Sequence, residues 1–130
     1  MEYRRFGKTE KKISVITLGG MRYKHGWDDP RDEVPEDTLE QASEMAKLAI
    51  ANGINHIETA WGYKKGENIY GKVLNEILNI PRESYYLMTK GAPKTTNETL
   101  ELVERQLHDL RTDYIDFYGW HGMNNREQYN

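Results

Sequence analysis

Four side chains in this sequence can take part in proton transfer, and each stands where a β-rich run of residues ends. Glu58 closes one such run and Tyr63 follows it; Lys90 and His121 close the next two. A free phenol titrates at about 10 and is a poor acid at neutral pH. An ammonium beside a phenol favours the phenolate, and a carboxylate paired with that ammonium keeps it charged and in place. Tyr63, backed by Lys90 and Glu58, can then hand a proton to a carbonyl oxygen that is becoming an alkoxide. His121 can orient that oxygen through a hydrogen bond. None of the four can supply a hydride, so reduction at such a site requires a nicotinamide held over it.

Taken singly, a strand-end lysine is usually just solvated, and a tyrosine in a glycine-flanked turn usually packs. The weight lies in their joint placement, which depends on the elements that carry them. Residues 3–6 read as one arm of a hairpin and 7–12 as its polar turn. Residue 13 onward reads as the other arm, with Ile13, Val15, Ile16 and Leu18 leading to Gly19-Gly20. Residues 21–35, with Gly26, Asp28, Asp29, Pro30 and Asp32, show no period and form a loop long enough to be functional.

A first helix is expected from residue 36 or 37, past Pro35, to a stop at Gly53. A second is expected over 67–78 and a third over 97–110, the latter capped by Thr95, Thr96 or Asn97. Each shows apolar residues three and four apart, as in Leu39, Ala42, Ala46, Ala49 and Leu100, Val103, Leu107, Leu110. Strands fall at 54–60, 84–90 and 113–120.

The order β-α-β-α-β-α-β favours a parallel sheet with helices outside it. The expected fold class is α/β, a partial (β/α)8 TIM barrel of four strands and three helices behind an N-terminal hairpin. In such a barrel the strand carboxyl ends share one face, where catalytic groups from different strands meet. Alternation places Glu58, His56 and Ile54 on the inner face, with Lys90, Met88 and Tyr86, and with His121, Gly119, Phe117 and Ile115. A complete barrel takes about 250 residues. The 130 residues here are therefore read as the N-terminal part of one barrel domain over 1–130, ending in the loop after the fourth strand.

Composition narrows the partners. A net charge of −3 with both signs interspersed offers no basic stripe for nucleic acid. No apolar run is long enough to cross a bilayer, and the start Met1-Glu-Tyr-Arg-Arg lacks the apolar segment of a signal peptide. With no cysteine there is neither a disulfide framework nor a thiolate metal site, and a cytoplasmic location is expected. Gly66 to Lys72 falls one residue short of a P-loop, because Val73 stands where the Mg²⁺-binding hydroxyl belongs. His56-Ile-Glu58 mimics part of a zinc deaminase motif, but the cysteine pair is absent, so His56 is read as a lower-barrel core residue and no metal is expected.

One stretch is more specific. Gly53-Ile-Asn-His-Ile-Glu-Thr-Ala-Trp-Gly-Tyr63, with Glu67 four residues later, resembles the aldo-keto reductase signature G-(I/V)-N-x-x-D-T-A-x-x-Y-x-x-x-E. The resemblance extends through Met88-Thr-Lys90-Gly, through Leu110-Arg-Thr-Asp-Tyr-Ile-Asp-Phe-Tyr-Gly-Trp-His121, and back to Tyr3-Arg-Arg-Phe-Gly-Lys-Thr and Leu18-Gly-Gly. Glu58 departs from the usual aspartate. The H-I-E-T-A wording is similar to a bacterial branch whose longer members end in a cysteine-rich iron–sulfur module, of which this chain carries nothing.

The resemblance implies an NADP(H)-dependent (β/α)8 barrel that reduces a small aldehyde or ketone to an alcohol. By motif position Tyr63 would be the proton donor, Lys90 the cation that makes it a better acid, Glu58 the partner of Lys90, and His121 the residue orienting the carbonyl. Gly20, Met21 and Glu58 would lie near the nicotinamide; most cofactor phosphate contacts in the family come from later strands. The alternative expectation is half of a split barrel acting only on pairing with a C-terminal half-barrel partner, or a catalytically inactive fragment that self-associates through its exposed edges. The two are separated by cofactor binding and a Tyr63-dependent reduction on one side, and by an oligomer without either on the other.

Overall fold

The direction of the strands decides where the four side chains end up. A computed structural model describes residues 1–127 of the chain, so the last three residues of the expected 1–130 domain lie outside the described residues. It opens with a short antiparallel hairpin, β1 (Tyr3–Arg5) against β2 (Lys12–Ser14). Then follow β3 (Leu18–Gly19), α1 (Glu36–Ala51), β4 (His56–Glu58), α2 (Gly66–Lys72), β5 (Tyr86–Gly91), α3 (Thr96–Leu110) and β6 (Phe117–Trp120). Strands β3 to β6 form one parallel sheet in sequence order. This is the expected partial TIM barrel, with every strand carboxyl end on the same rim. Among the described residues no helix is long and apolar enough to cross a membrane.

Local chemistry sets the helix ends. Pro35 precedes α1, whose first turn carries Glu36 and Asp37 against the positive end of the helix dipole. Helix α1 ends before Gly53, which takes a left-handed φ of 81° and whose carbonyl accepts the Tyr3 hydroxyl at 2.8 Å, docking the hairpin. Thr95 caps α3 by accepting the Glu98 amide at 3.2 Å. The expected second helix is α-helical only to Lys72. Its remainder, Val73–Ile77, is a wider π-helical turn from which Asn75 donates to the Leu110 carbonyl at the end of α3.

The expected strands were too long: 54–60 shortens to β4 at His56–Glu58, and 84–90 begins only at Tyr86. Residues 13–20 are not one arm, because the chain bends between β2 and β3. There the Ser14 hydroxyl donates to the Ile16 carbonyl at 2.7 Å and the Ser14 amide is taken by Asn55 at 2.8 Å, leaving Val15 and Ile16 exposed. Residues 113–116 are loop. The Asp116 carboxylate accepts the Leu87 amide at 3.0 Å and the Arg82 guanidinium at 2.7 Å, a side chain occupying a place that a ladder carbonyl would fill. Ile54 and Ile115 accordingly fall outside the alternation and pack on the helix side.

The core lies between sheet and helices. Ile57 and Leu87 meet Ala42, Ala46, Ile69, Val73, Leu74 and Leu110, all essentially buried. The alanine stripe of α1 leaves no bulk between helix and neighbours. On the other face the hairpin closes the lower end of the sheet. Phe6 sits 4.4 Å from Phe117, and both approach His56, the lower-barrel histidine the sequence suggested. The upper end carries the polar groups.

Candidate active site

Parallel register brings the expected residues to one rim. Glu58 is the last residue of β4, and Lys90 lies near the end of β5, opposite Gly119 of β6. Past β4 the extended Ala60 leads into a single 3-10 turn, Trp61–Tyr63, closed by the Tyr63 amide donating to the Ala60 carbonyl at 3.0 Å. That turn swings Tyr63 back over the strand ends. Its hydroxyl donates to Glu58 Oε1 at 3.2 Å. The Lys90 ammonium pairs with the same carboxylate oxygen, donates to the Thr59 carbonyl at 3.0 Å, and lies 4.6 Å from the centre of the Tyr63 ring. His121, just past β6, donates its amide to the Gly91 carbonyl at 2.8 Å and sets its ring edge-on to Tyr63, centroids 5.5 Å apart.

Two glycines make this approach possible. A β-carbon at Gly62 would stand 2.7 Å from His121 Cε1, too close for any real contact. One at Gly119 would meet Lys90 Cγ at 3.0 Å. The site is partly sheltered: the side chains of Lys90 and Glu58 are 15% and 21% exposed, and removal from water brings the Lys90 ammonium below its ordinary value. A phenol in contact with a carboxylate, an ammonium and an imidazole can relay one proton and stabilise one developing oxyanion.

The three expected cofactor contacts occupy the same rim. Gly20 follows β3 and its amide donates to the Glu58 carbonyl at 2.8 Å; Met21 comes next and is exposed. A β-carbon at Gly20 would meet Tyr70 at 2.6 Å, so packing alone already demands glycine there. At Gly19 a β-carbon would be 3.7 Å from Glu58 Oε2, so the space beside the carboxylate is left open by the missing side chain.

Other residues escaped the sequence reading. Arg31, in the loop of residues 20–35, donates to the Trp61 carbonyl at 2.8 Å and to Glu67 Oε2 at 2.9 Å. Lys65 is wholly buried and donates to the carbonyls of Pro30 and Glu33. Glu67, also buried, accepts from Thr89 and Gln106, each at 2.6 Å, and burial pushes its carboxyl above the ordinary value. Only Glu67 carried a signal, its place in the signature; an arginine in an aperiodic loop carries none. The same loop lines a cleft of about 540 Å³ with Trp27, Asp28 and Asp29 facing Trp61, Gly62 and Lys64, beside the turn that carries Tyr63.

Residues 15–129 match the sequence profile of the aldo/keto reductase family. The chain belongs to that family. Among relatives of this aldo/keto reductase chain, D-arabinose 1-dehydrogenase of Saccharomyces cerevisiae is 29% identical over 120 residues, 85% of this chain and 34% of the yeast protein. A thermostable aldo-keto reductase, solved with the inhibitor epalrestat, superposes with a TM-score of 0.71 at 30% identity. That match covers 98% of this chain and 44% of the other. An aldo-keto reductase of Klebsiella pneumoniae solved with NADPH shares the fold at a TM-score of 0.72 and 22% identity, covering 95% of this chain and 40% of its own. The chain thus spans about a third of the yeast enzyme and less than half of the two solved chains.

Proposed function

We propose that this chain carries the proton-transfer site of an NADP(H)-dependent carbonyl reductase, with Tyr63 as the proton donor to a small aldehyde or ketone. The observation that carries the reading is the convergence of the Tyr63 hydroxyl and the Lys90 ammonium on one oxygen of Glu58, with the His121 ring against Tyr63. The Klebsiella protein's complex with NADPH and the yeast relative's name both agree with redox chemistry at a carbonyl or its alcohol.

The residues fit a flat nicotinamide ring on one count visible in the fold: the rim at Gly19 is bare of a side chain beside Glu58. Gly20, Met21 and Glu58 would lie along its edge. When bound, NADPH supplies the hydride that reduces the carbonyl carbon. Tyr63 gives its hydroxyl proton to the carbonyl oxygen, and the Lys90 ammonium stabilises the phenolate left behind. Glu58 holds Lys90 charged and aimed. His121 donates a hydrogen bond to the same oxygen and restricts its approach. A cysteine-free chain needs no oxidising compartment, and we place the activity in the cytoplasm.

The test is NADPH oxidation with a generic aldehyde, measured beside NADPH-induced thermal stabilisation. Tyr63→Phe should retain the stabilisation and lose turnover; equal turnover in the variant would overturn the assignment.

A second reading has its own observation. The outer edges of β3 and β6 carry no further strand among the described residues, and Tyr118, Trp120 and Met123 are exposed near that side. In this reading the chain by itself is catalytically inactive: it acts only on pairing with a C-terminal half-barrel, or it is an inert fragment that self-associates through these edges. Sedimentation showing a monomer that turns over substrate would dismiss it.

A further inference from the structure

The residues around Arg31 form an arrangement that the proton-transfer scheme does not use. Its guanidinium carbon lies over the Trp61 indole, 3.5 Å from the ring centre, and its two terminal nitrogens serve different elements. Nη1 holds the carbonyl of Trp61, the first residue of the turn that carries Tyr63. Nη2 holds Glu67 of α2 at 2.9 Å and reaches Asp109 of α3 at 3.4 Å. Lys65, two residues after Tyr63, ties back to the loop through the carbonyls of Pro30 and Glu33. The catalytic turn is therefore fastened to the loop of residues 20–35 at both of its ends.

We propose that Arg31 is a positioning residue for Tyr63, fixing the turn Trp61–Tyr63 by gripping the Trp61 carbonyl and the buried Glu67 carboxylate together, so that loop and catalytic turn move as one body. The inference rests on the reading of Tyr63 as proton donor only where it concerns turnover.

Geometry favours this role over surface packing. A planar fork can satisfy a carbonyl and a carboxylate at once while stacking on an indole; an ammonium cannot do all three. The Glu67 anchor is itself rigid, because Thr89 and Gln106 occupy its other oxygen, and Gln106 also donates to the Lys90 carbonyl at 3.2 Å. The anchor that holds the turn is thus shared with the strand that carries Lys90. A 3-10 turn of three residues has few bonds of its own, so loss of the Trp61 grip leaves the phenol free to wander.

The experiment compares Arg31→Ala, Arg31→Lys and the double variant Arg31→Ala/Glu67→Gln with the parent chain. The double variant removes the buried charge that Arg31→Ala would orphan, separating positioning from folding. Two readouts are taken, steady-state aldehyde reduction and amide hydrogen exchange. A misplaced donor should lower kcat about a hundredfold with KM unchanged, with partial recovery in Arg31→Lys. Exchange should accelerate at the amides of residues 61–63 and not in α1. Unchanged kcat together with parent-like exchange at the turn would overturn the proposal, as would exchange rising equally in α1 in the double variant. Should the parent chain reduce no carbonyl, the proton-donor reading fails by itself, and exchange at the turn alone decides whether Arg31 holds it.

Discussion

On β5 the residues on the helix side, Leu87, Thr89 and Gly91, are buried, whereas Tyr86, Met88 and Lys90, facing the other way, are half-buried. The same six residues therefore serve two surfaces of opposite character. The helix side is packed with aliphatic groups and a satisfied polar cluster around Glu67. The inner side is aromatic at its lower end and ionic at its upper rim. The lesson is a division of labour by strand face. Rigidity is built behind the sheet and the proposed proton-transfer groups stand in front of it, so substitutions on the two faces should fail in different assays.

The widest separation is expected at the rim. Tyr63→Phe should cut carbonyl turnover by about two to four orders of magnitude, the range for losing a positioned proton donor. It should leave the melting temperature nearly unchanged, and kinetics beside thermal denaturation would show both.

Next comes a pair of neighbours on one strand. Leu87→Ala should cost about 2–5 kcal/mol in urea unfolding, because the fully enclosed cavity cannot collapse. Met88→Ala, one residue along and on the half-buried face, should cost under about 2 kcal/mol. Equal costs would erase the distinction between faces.

Gly62→Ala tests the front face without touching a charged group. The added methyl would displace the His121 ring and reduce kcat about tenfold, a loss of roughly 1.4 kcal/mol in the barrier, with stability little altered.

The smallest expected effects are in pH dependence. Behind the sheet, burial raises the Glu67 carboxyl above 4.5 in the folded protein. Its contribution to stability is then complete below 4.5 and is lost as pH rises through the raised value; Glu67→Gln should flatten that slope. In front, burial lowers the His56 imidazole below 6.5. Its contribution is present above 6.5 and is lost as pH falls through the lowered value, with the opposite slope. Stability curves of the parent and of His56→Gln, taken from pH 4 to 8 by about one-unit steps, would separate the two.

Much of this was legible from residue order. Period-two alternation placed Lys90 with Met88 and Tyr86, and helical spacing located α1 and α3 within a residue or two of their ends. Strand ends were less legible. Ser14 and Asp116 stop their strands by spending a side chain on backbone amides brought from far along the chain, those of Asn55 and Leu87, and local preference does not register such partners. The loop read as functional because of its length, but nothing in it singled out Arg31.

Residue types and spacing determined which groups are present, that they sit at successive strand ends, and which family the chain joins. Those properties follow from local periodicity and from short motifs, which are one-dimensional. Tertiary structure alone decided that one oxygen of Glu58 serves both Tyr63 and Lys90, and that Gly62 is the space into which His121 fits. It alone tied residue 31 to residues 61, 67 and 109. A hydrogen bond or an excluded methyl depends on a few tenths of an ångström between strands far apart in sequence, and only packing sets distances that finely.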